Sequence, residues 1–265
     1  MSIGFIGCGN MATAIIKGII KSKTVEENEI NVFDVYAPAV ERLTAEYKIN
    51  KCESECDVVS SSDAVILAVK PNVLPQVLNK INTTLEESDT LLISIAAGKS
   101  TEFIRGALSH NNRIIRVMPN INATVSEAMC AYTANAEATE ADKQTAEAIF
   151  SGVGKVMYLD ENYFPLFGVI GGCGPAFAYM FIDAMARAGV KNGMKKDTAL
   201  MVAAQTVLGS AKMILDSSEH PWELIDKVCS PGGTTIEAVT SLQADGFESA
   251  IHNAIDKAVD KDSKL

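Results

Sequence analysis

The chain has 265 residues, 48% apolar and 21% charged, an ordinary globular composition that fits one large domain or two modest ones and excludes a disordered or fibrous chain. Its 33 acidic and 23 basic side chains leave a net charge of −10, which repels phosphate backbones and anionic lipid. The short basic groups Lys195-Lys196 and Lys257 with Lys261 sit beside Asp197, Asp256 and Asp260, so no nucleic-acid or membrane partner is expected.

Taken in chain order, the opening Met1-Ser2-Ile3-Gly4-Phe5-Ile6-Gly7 has neither a basic leader nor a long apolar run. No uninterrupted apolar stretch reaches the ~18 residues of a membrane span; the richest, Ala176 to Ala186, is broken by Asp183. The expectation is a soluble cytoplasmic protein. Short apolar runs at Ile3–Ile6, Ile30–Phe33, Ala64–Val69, Leu91–Ile95, Ile114–Met118, Met129–Tyr132 and Lys155–Leu159 read as strands. Helical spacing falls between most of them, at Met11 to Lys21, after Pro38, at Val73 to Ile81, Thr101–Leu108 and Thr139–Phe150. Continuous apolar strands alternating with helices predict a parallel sheet covered on both faces. Beyond residue 160 the pattern turns helical, at Pro175 to Ala188, Asp197 to Leu215 and Gly246 to Val259. Helix 197–215 is apolar nearly all round, more than ~100 residues of helices can enclose, so a second subunit is expected to cover it. The reading is thus α/β, with a parallel-sheet domain at 1–160 and an all-α domain at 161–265. The six cysteines (Cys8, Cys52, Cys56, Cys130, Cys173, Cys229) form no Cys-x-x-Cys and have no partners at ligand spacing. Free thiols in a reducing compartment are expected, and no metal site.

The first strand-to-helix junction, Gly7-x-Gly9-x-x-Ala12, is the dinucleotide fingerprint. Gly7 permits a tight turn, Gly9 bares the backbone for a pyrophosphate, and Ala12 lets the helix lie close to the strand. The helix N-terminus then offers free N–H groups to the anion. Asp34 closes the second strand. There it would accept from an adenine-ribose 2′-hydroxyl and repel a 2′-phosphate, favouring NADH over NADPH; the alternative is that it merely begins a turn. Ala68-Val69-Lys70-Pro71, Ser94-Ile95-Ala96-Ala97-Gly98 and Arg116-Val117-Met118-Pro119-Asn120 follow later strands at the edge where open sheets bind ligands. Lys70 there is either a solvated lysine or a phosphate or ribose contact.

Late in the chain, Ser230-Pro231-Gly232-Gly233-Thr234-Thr235 places a helix stop and bare backbone before two threonines suited to capping the next helix. Such a loop presents N–H groups to a carboxylate, although an ordinary helix–loop–helix turn has the same pattern. With Gly4–Ala12, Ala68–Pro71, Ser94–Gly98, Arg116–Asn120, Gly171-Gly172-Cys173-Gly174-Pro175-Ala176, His220-Pro221 and Cys229 to Ala238, the whole chain resembles pyrroline-5-carboxylate reductase. The resemblance implies a Rossmann-type domain followed by a helical dimerisation domain, and reduction of 1-pyrroline-5-carboxylate to L-proline by NADPH or NADH. It also implies homodimers, which in the family often assemble into decamers. Carried onto this chain, the cofactor contacts are Ile6, Gly7, Cys8, Gly9, Asn10, Met11, Ala68, Val69, Lys70, Pro71, Ala96, Ala97 and Gly98. The substrate contacts are Ser230, Gly232, Gly233, Thr234 and Thr235, with Glu161 at an acidic position near the proline site. Around Asp34 a serine often used for the 2′-phosphate is replaced. Lys227 stands where some members have a substrate-touching amide, and Glu55 near a position where some have Asn.

No general acid stands out. His110, His220 and His252 lie in no catalytic motif and read as surface or capping residues, and no hydrolase motif occurs. That suits imine reduction, since a protonated C=N accepts hydride without a proton donor at the carbon. Thr235 is the candidate to orient the ring nitrogen. Two rivals remain. A β-hydroxyacid dehydrogenase would need a lysine base, and Gly172 to Ala178 offers none. A non-catalytic nucleotide-sensing module usually carries a basic helix, which this acidic chain lacks.

Overall fold

Strands β1 (Ile3–Ile6), β4 (Ala64–Leu67) and β5 (Leu91–Ser94) bury every residue, and β2 (Ile30–Phe33) all but Phe33. Their continuous apolar character follows from helices on both faces. Alternate side chains go to opposite sides: Phe5, Ile66 and Ile93 pack with Ile15, Ile16 and Ile19 of α1 (Asn10–Ser22), Leu43 of α2 (Ala37–Glu46) and Phe150 of α6 (Glu140–Ser151). Ile6, Val65, Leu67 and Leu92 instead meet Val58 of α3 (Glu55–Ser60), Leu78 and Ile81 of α4 (Leu74–Glu86) and Ile104 of α5 (Thr101–Gly106). Each such Ile or Leu contributes about 1.5–3 kcal/mol on burial, so a one-residue slip in register would expose a whole face. Side-chain caps fix the helix starts: Ser54 accepts from the Asp57 amide, Ser100 from Phe103, and Thr139 forms a reciprocal capping box with Asp142.

The computed structural model describes residues 1–262. Its eight-stranded sheet has the order β3-β2-β1-β4-β5-β6-β7-β8, with β3 (Asn50–Lys51), β6 (Ile114–Met118), β7 (Ala128–Ala134) and β8 (Gly154–Tyr158). The expected parallel sheet is found with one correction: β7 runs antiparallel to β6. Only the short 3-10 turn Ile121–Val125 joins them, and a parallel return needs a crossover of a dozen residues or more. Within the sheet and the helices packed on it, β3 and α3 lie outside the sequence reading. Neither is long enough to show a period.

After β8 the chain winds through a 3-10 turn, Glu161–Tyr163, helix α7 (Phe164–Phe167) and a π-helical stretch, Gly168–Cys173. By packing, the first unit is Met1–Gly172 and a second begins at Cys173. Residues 161–172, which the composition change groups with the helical part, thus pack in the first unit, where Phe164 is fully buried. The second unit holds α8 (Gly174–Lys191), α9 (Lys196–Asp216), α10 (Pro221–Val228), α11 (Thr234–Ala244) and α12 (Phe247–Asp262), with no strand among its described residues. Its buried core is small: Ala186, Ala199 and Ala203 where α8 meets α9, with Ile182 against them. On α9, Met201, Leu208 and Leu215 remain 66%, 59% and 64% exposed. By length and composition alone, Glu161–Lys191 and Lys196–Asp216 would suffice to cross a membrane.

Candidate functional site

The nucleotide edge is built from strand ends in register. Ile6 pairs with Phe33 and Leu67, and Leu67 with Ser94, so the loops after β1, β2, β4 and β5 leave the sheet side by side. Gly7 follows β1 with φ +103°, and a Cβ there would lie 2.6 Å from the Ala68 carbonyl oxygen. Both facts require glycine. The turn is pinned from two strands: the Gly7 amide donates to the Phe33 carbonyl (2.8 Å) and the Ala68 amide to that of Ile6 (2.9 Å). Gly9 is the N-cap of α1 and supplies no side-chain cap, while Ala12 is buried against the strand layer. The first-turn amides of α1 therefore meet exposed Gly9 and Asn10 and half-buried Met11, a geometry that fits a pyrophosphate.

Asp34 ties this turn down. Its Oδ2 accepts from the Cys8 amide at 2.7 Å and its Oδ1 from the Tyr36 amide at 2.8 Å. It begins a turn, as one reading had it, and also reaches across to the fingerprint. Beside it Val35 and Tyr36 are exposed, and the nearby Arg42 donates to the Thr13 hydroxyl at 3.3 Å. Burial pushes the Cys8 thiol up to about 12, with the Asp34 charge adding and Arg42 opposing. Cys8 thus enters the site by its backbone, as a neutral thiol.

The next two loops are shaped differently. After Ala68 and Val69, the Lys70 carbonyl accepts from the Val73 (2.9 Å) and Leu74 (3.2 Å) amides, turning the chain into α4 and leaving Lys70 exposed and Pro71 half-buried. After β5, the buried Ser94 hydroxyl accepts from the Ala96 amide at 3.3 Å, while Ala97 and Gly98 are exposed.

Glu161 anchors a network that sequence reasoning missed. Its Oε1 accepts from the Thr101 amide (2.8 Å) and from Arg116 Nη1 (2.9 Å), its Oε2 from the Thr101 hydroxyl (2.6 Å). The Arg116 guanidinium also lies 4.5 Å from the centre of the Phe164 ring. Burial pushes the Glu161 carboxyl up, but the bonds from the Thr101 hydroxyl and Arg116 outweigh it and hold it below the ordinary glutamate value. A charged side chain in an otherwise apolar strand was the available signal for Arg116. Glu55 likewise is engaged within the chain, by Lys80 at 2.8 Å.

In the second unit, Ser230–Thr235 precedes α11. The expectation that Thr234 and Thr235 cap this helix is corrected: they are its first two residues, and Gly233 is the N-cap, with no side-chain cap. The turn explains this. Gly232 has φ +67°, the Gly233 amide donates to the Ser230 carbonyl at 3.0 Å, and a Cβ on Gly233 would lie 2.3 Å from Ser230 Oγ. The first amides of α11 have no side-chain cap, and the half-buried Thr235 hydroxyl bonds to no described residue. Lys227 pairs with Glu219. His220 caps α10, its Nδ1 accepting from the Trp222 amide at 3.2 Å. His110 Nε2 lies 3.7 Å from Glu86, and His252 is exposed. Among the described residues no cluster of His, Cys, Asp and Glu is arranged for a metal.

Comparison with known proteins decides the family. Residues 161–265 match the model for pyrroline-5-carboxylate reductase dimerisation, and residues 2–98 the model described as NADP oxidoreductase coenzyme F420-dependent. The chain is 43% identical over 264 residues to the pyrroline-5-carboxylate reductase of Escherichia coli K12, covering 99% of this chain and 97% of that one. The chain belongs to the pyrroline-5-carboxylate reductase family. Among solved structures, the Coxiella burnetii pyrroline-5-carboxylate reductase superposes with a TM-score of 0.94 at 30% identity, over 99% of this chain and 97% of that one. The Plasmodium falciparum pyrroline carboxylate reductase, solved with NADP bound, gives 0.86 at 29% over the same shares. The nucleotide-binding match spans the fingerprint and reaches Gly98, and the dimerisation match spans α8 to α12. The exposed apolar faces of the second unit lie within the residues that match the dimerisation model, which supports a homodimer.

Proposed function

We infer that this chain reduces 1-pyrroline-5-carboxylate to L-proline, with NADH preferred over NADPH. The observation that carries the reading is the full-length match to reductases, on a fold whose cofactor edge is intact. When bound, the nicotinamide cofactor supplies the hydride. The chain's residues do the holding. The first-turn amides of α1, behind Gly7, Gly9, Asn10 and Met11, receive the pyrophosphate, and Ala68–Pro71 and Ala96–Gly98 line the rest of the cofactor edge. Asp34 supports the preference for NADH: its carboxylate is fixed by two backbone amides, so it cannot swing away from a 2′-phosphate.

The substrate carboxylate goes to the uncapped amides of α11 at Thr234 and Thr235, beside Ser230, Gly232 and Gly233. The Thr235 hydroxyl orients the ring nitrogen. Glu161 contributes through the Thr101–Arg116 network, in which both its oxygens are engaged. The imine carbon of a protonated C=N is already electrophilic, so the acceleration is mainly positioning and needs no histidine acid. The reading extends to decamers built from the homodimers and to a cytoplasmic setting. The six free cysteines, with Cys8, Cys52 and Cys130 buried, support a reducing compartment.

The test is oxidation of NADH and of NADPH by the purified protein on adding pyrroline-5-carboxylate. Turnover with the higher kcat/KM for NADH is expected. A strong NADPH preference would overturn the role of Asp34, and cofactor binding without turnover would favour a nucleotide sensor.

A further inference from the structure

Strand β6 and the residue two beyond its end carry a row of side chains of which the reductase reading uses only Arg116. Arg116, Met118 and Asn120 alternate along it and share one face, since Asn120 continues the extended backbone with φ −120° and ψ 173°. All three face residues 161–172. Arg116 bonds Glu161 at 2.9 Å, a Cβ on Gly168 would lie 3.2 Å from Met118 Sδ, and Asn120 Nδ2 donates to the Gly171 carbonyl at 2.9 Å. Gly168 and Gly171 belong to the π-helical stretch, a winding rare in proteins and frequent at functional sites.

Asn120 is the unusual member. It is only 7% exposed, and its Oδ1 is shut off from solvent with no hydrogen-bond partner. Such an atom costs free energy, so it calls for an explanation beyond packing. Its place suggests one. β4, β5 and β6 form the half of the sheet away from β2 and β3. With the adenosine half of the cofactor at β1 and β2, the nicotinamide half lies over the carboxyl ends of this second half. We propose that Asn120 is a positioning residue for hydride transfer: by holding Gly171 it fixes the π-wound stretch beside the edge where the nicotinamide lies. This rests on the cofactor placement inferred above. The proposed action of Asn120 is through Gly171, whose carbonyl its Nδ2 holds at 2.9 Å.

The test uses full-length Asn120→Ala and Asn120→Ser, the latter keeping a short donor. Four quantities are compared with the parent: kcat, the KM values for cofactor and pyrroline-5-carboxylate, the primary isotope effect with 4-deuterated cofactor, and amide hydrogen exchange over 168–173. Asn120→Ala should lower kcat by ~10-fold or more while the cofactor KM moves less than about threefold. The isotope effect should rise as chemistry becomes limiting, exchange over 168–173 should quicken, and Asn120→Ser should recover part of the loss. Parental kcat with unchanged exchange overturns the proposal. So does a kcat loss matched by a general fall in melting temperature with the isotope effect unmoved, which marks a packing role. Should Asn120→Ala fail to fold, Asn120→Ser decides by the same readings. A parent without turnover would count against the reductase reading instead, and the exchange measurement would still show whether Asn120 holds Gly171.

Discussion

The two turns proposed to receive cofactor and substrate are built in opposite ways. The Gly7–Met11 turn stands on a sheet buried on both faces and is tied to the ends of β2 and β4, with Asp34 closing it. The Ser230–Thr235 turn belongs to a unit whose buried core is three alanines, and within the turn one backbone bond, Gly233 to Ser230, sets its shape. The first is preorganised by its own domain. The second is framed by α10 and α11, which bury no residue within their own chain and lie in the stretch that matches the dimerisation model. The cofactor turn should therefore fail only by direct damage, and the substrate turn also through the dimer.

Gly7→Ala puts the largest strain on the first region, combining a φ of +103° with a contact 2.6 Å from a carbonyl oxygen. Cofactor affinity should fall on the order of 100-fold, or folding should fail, as read by cofactor titration and circular dichroism; ordinary binding would show that the turn is not preorganised. Leu208→Asp puts a charge on an apolar face of α9. It should shift the protein to monomer at micromolar concentration in light scattering and cost most of the turnover, while cofactor binding changes little. An active monomer would erase the contrast between the two turns. Thr235→Ala removes one hydroxyl from the substrate turn and should lower kcat/KM by ~10-fold, or about 1.4 kcal/mol in the transition state, in steady-state assays. Unchanged kinetics would remove Thr235 from the mechanism.

The smallest effect concerns Glu161. Its folded value lies below the ordinary one, so its stabilisation is fully present above the unfolded value of about 4.3 and is lost as pH falls through the lower folded value. Glu161→Gln should flatten that part of the stability curve measured by urea unfolding between pH 6 and pH 3 (both roughly chosen to span the titration). An identical slope would place the acid sensitivity elsewhere.

Much of this was legible in the sequence. Strands buried on both faces write themselves as short runs with at most one polar residue, which is why β1, β2 and β6 match the expected bounds. The direction of β7 went against the expected parallel sheet, because the link to it holds only the short 3-10 turn Ile121–Val125 and no crossover helix. By contrast β3 and α3 hold too few residues to show any period. Arg116 and Asn120 could not be read as a pair, because their partners Glu161 and Gly171 are 45 and 51 residues away and meet them only after folding. The cap of α11 was misread for a local reason. Threonine is the better capping side chain in general, but the φ of +67° at Gly232 turns the chain one residue early and makes Gly233 the cap.

The most direct test of the account is to follow the hydride. Pyrroline-5-carboxylate is incubated with the protein and NADH carrying deuterium at the transferable position of C4, and the product is examined by mass spectrometry and NMR. The account predicts L-proline one mass unit heavier, with the deuterium at C5. Proline without the label, or consumption of the cofactor without proline, would contradict it.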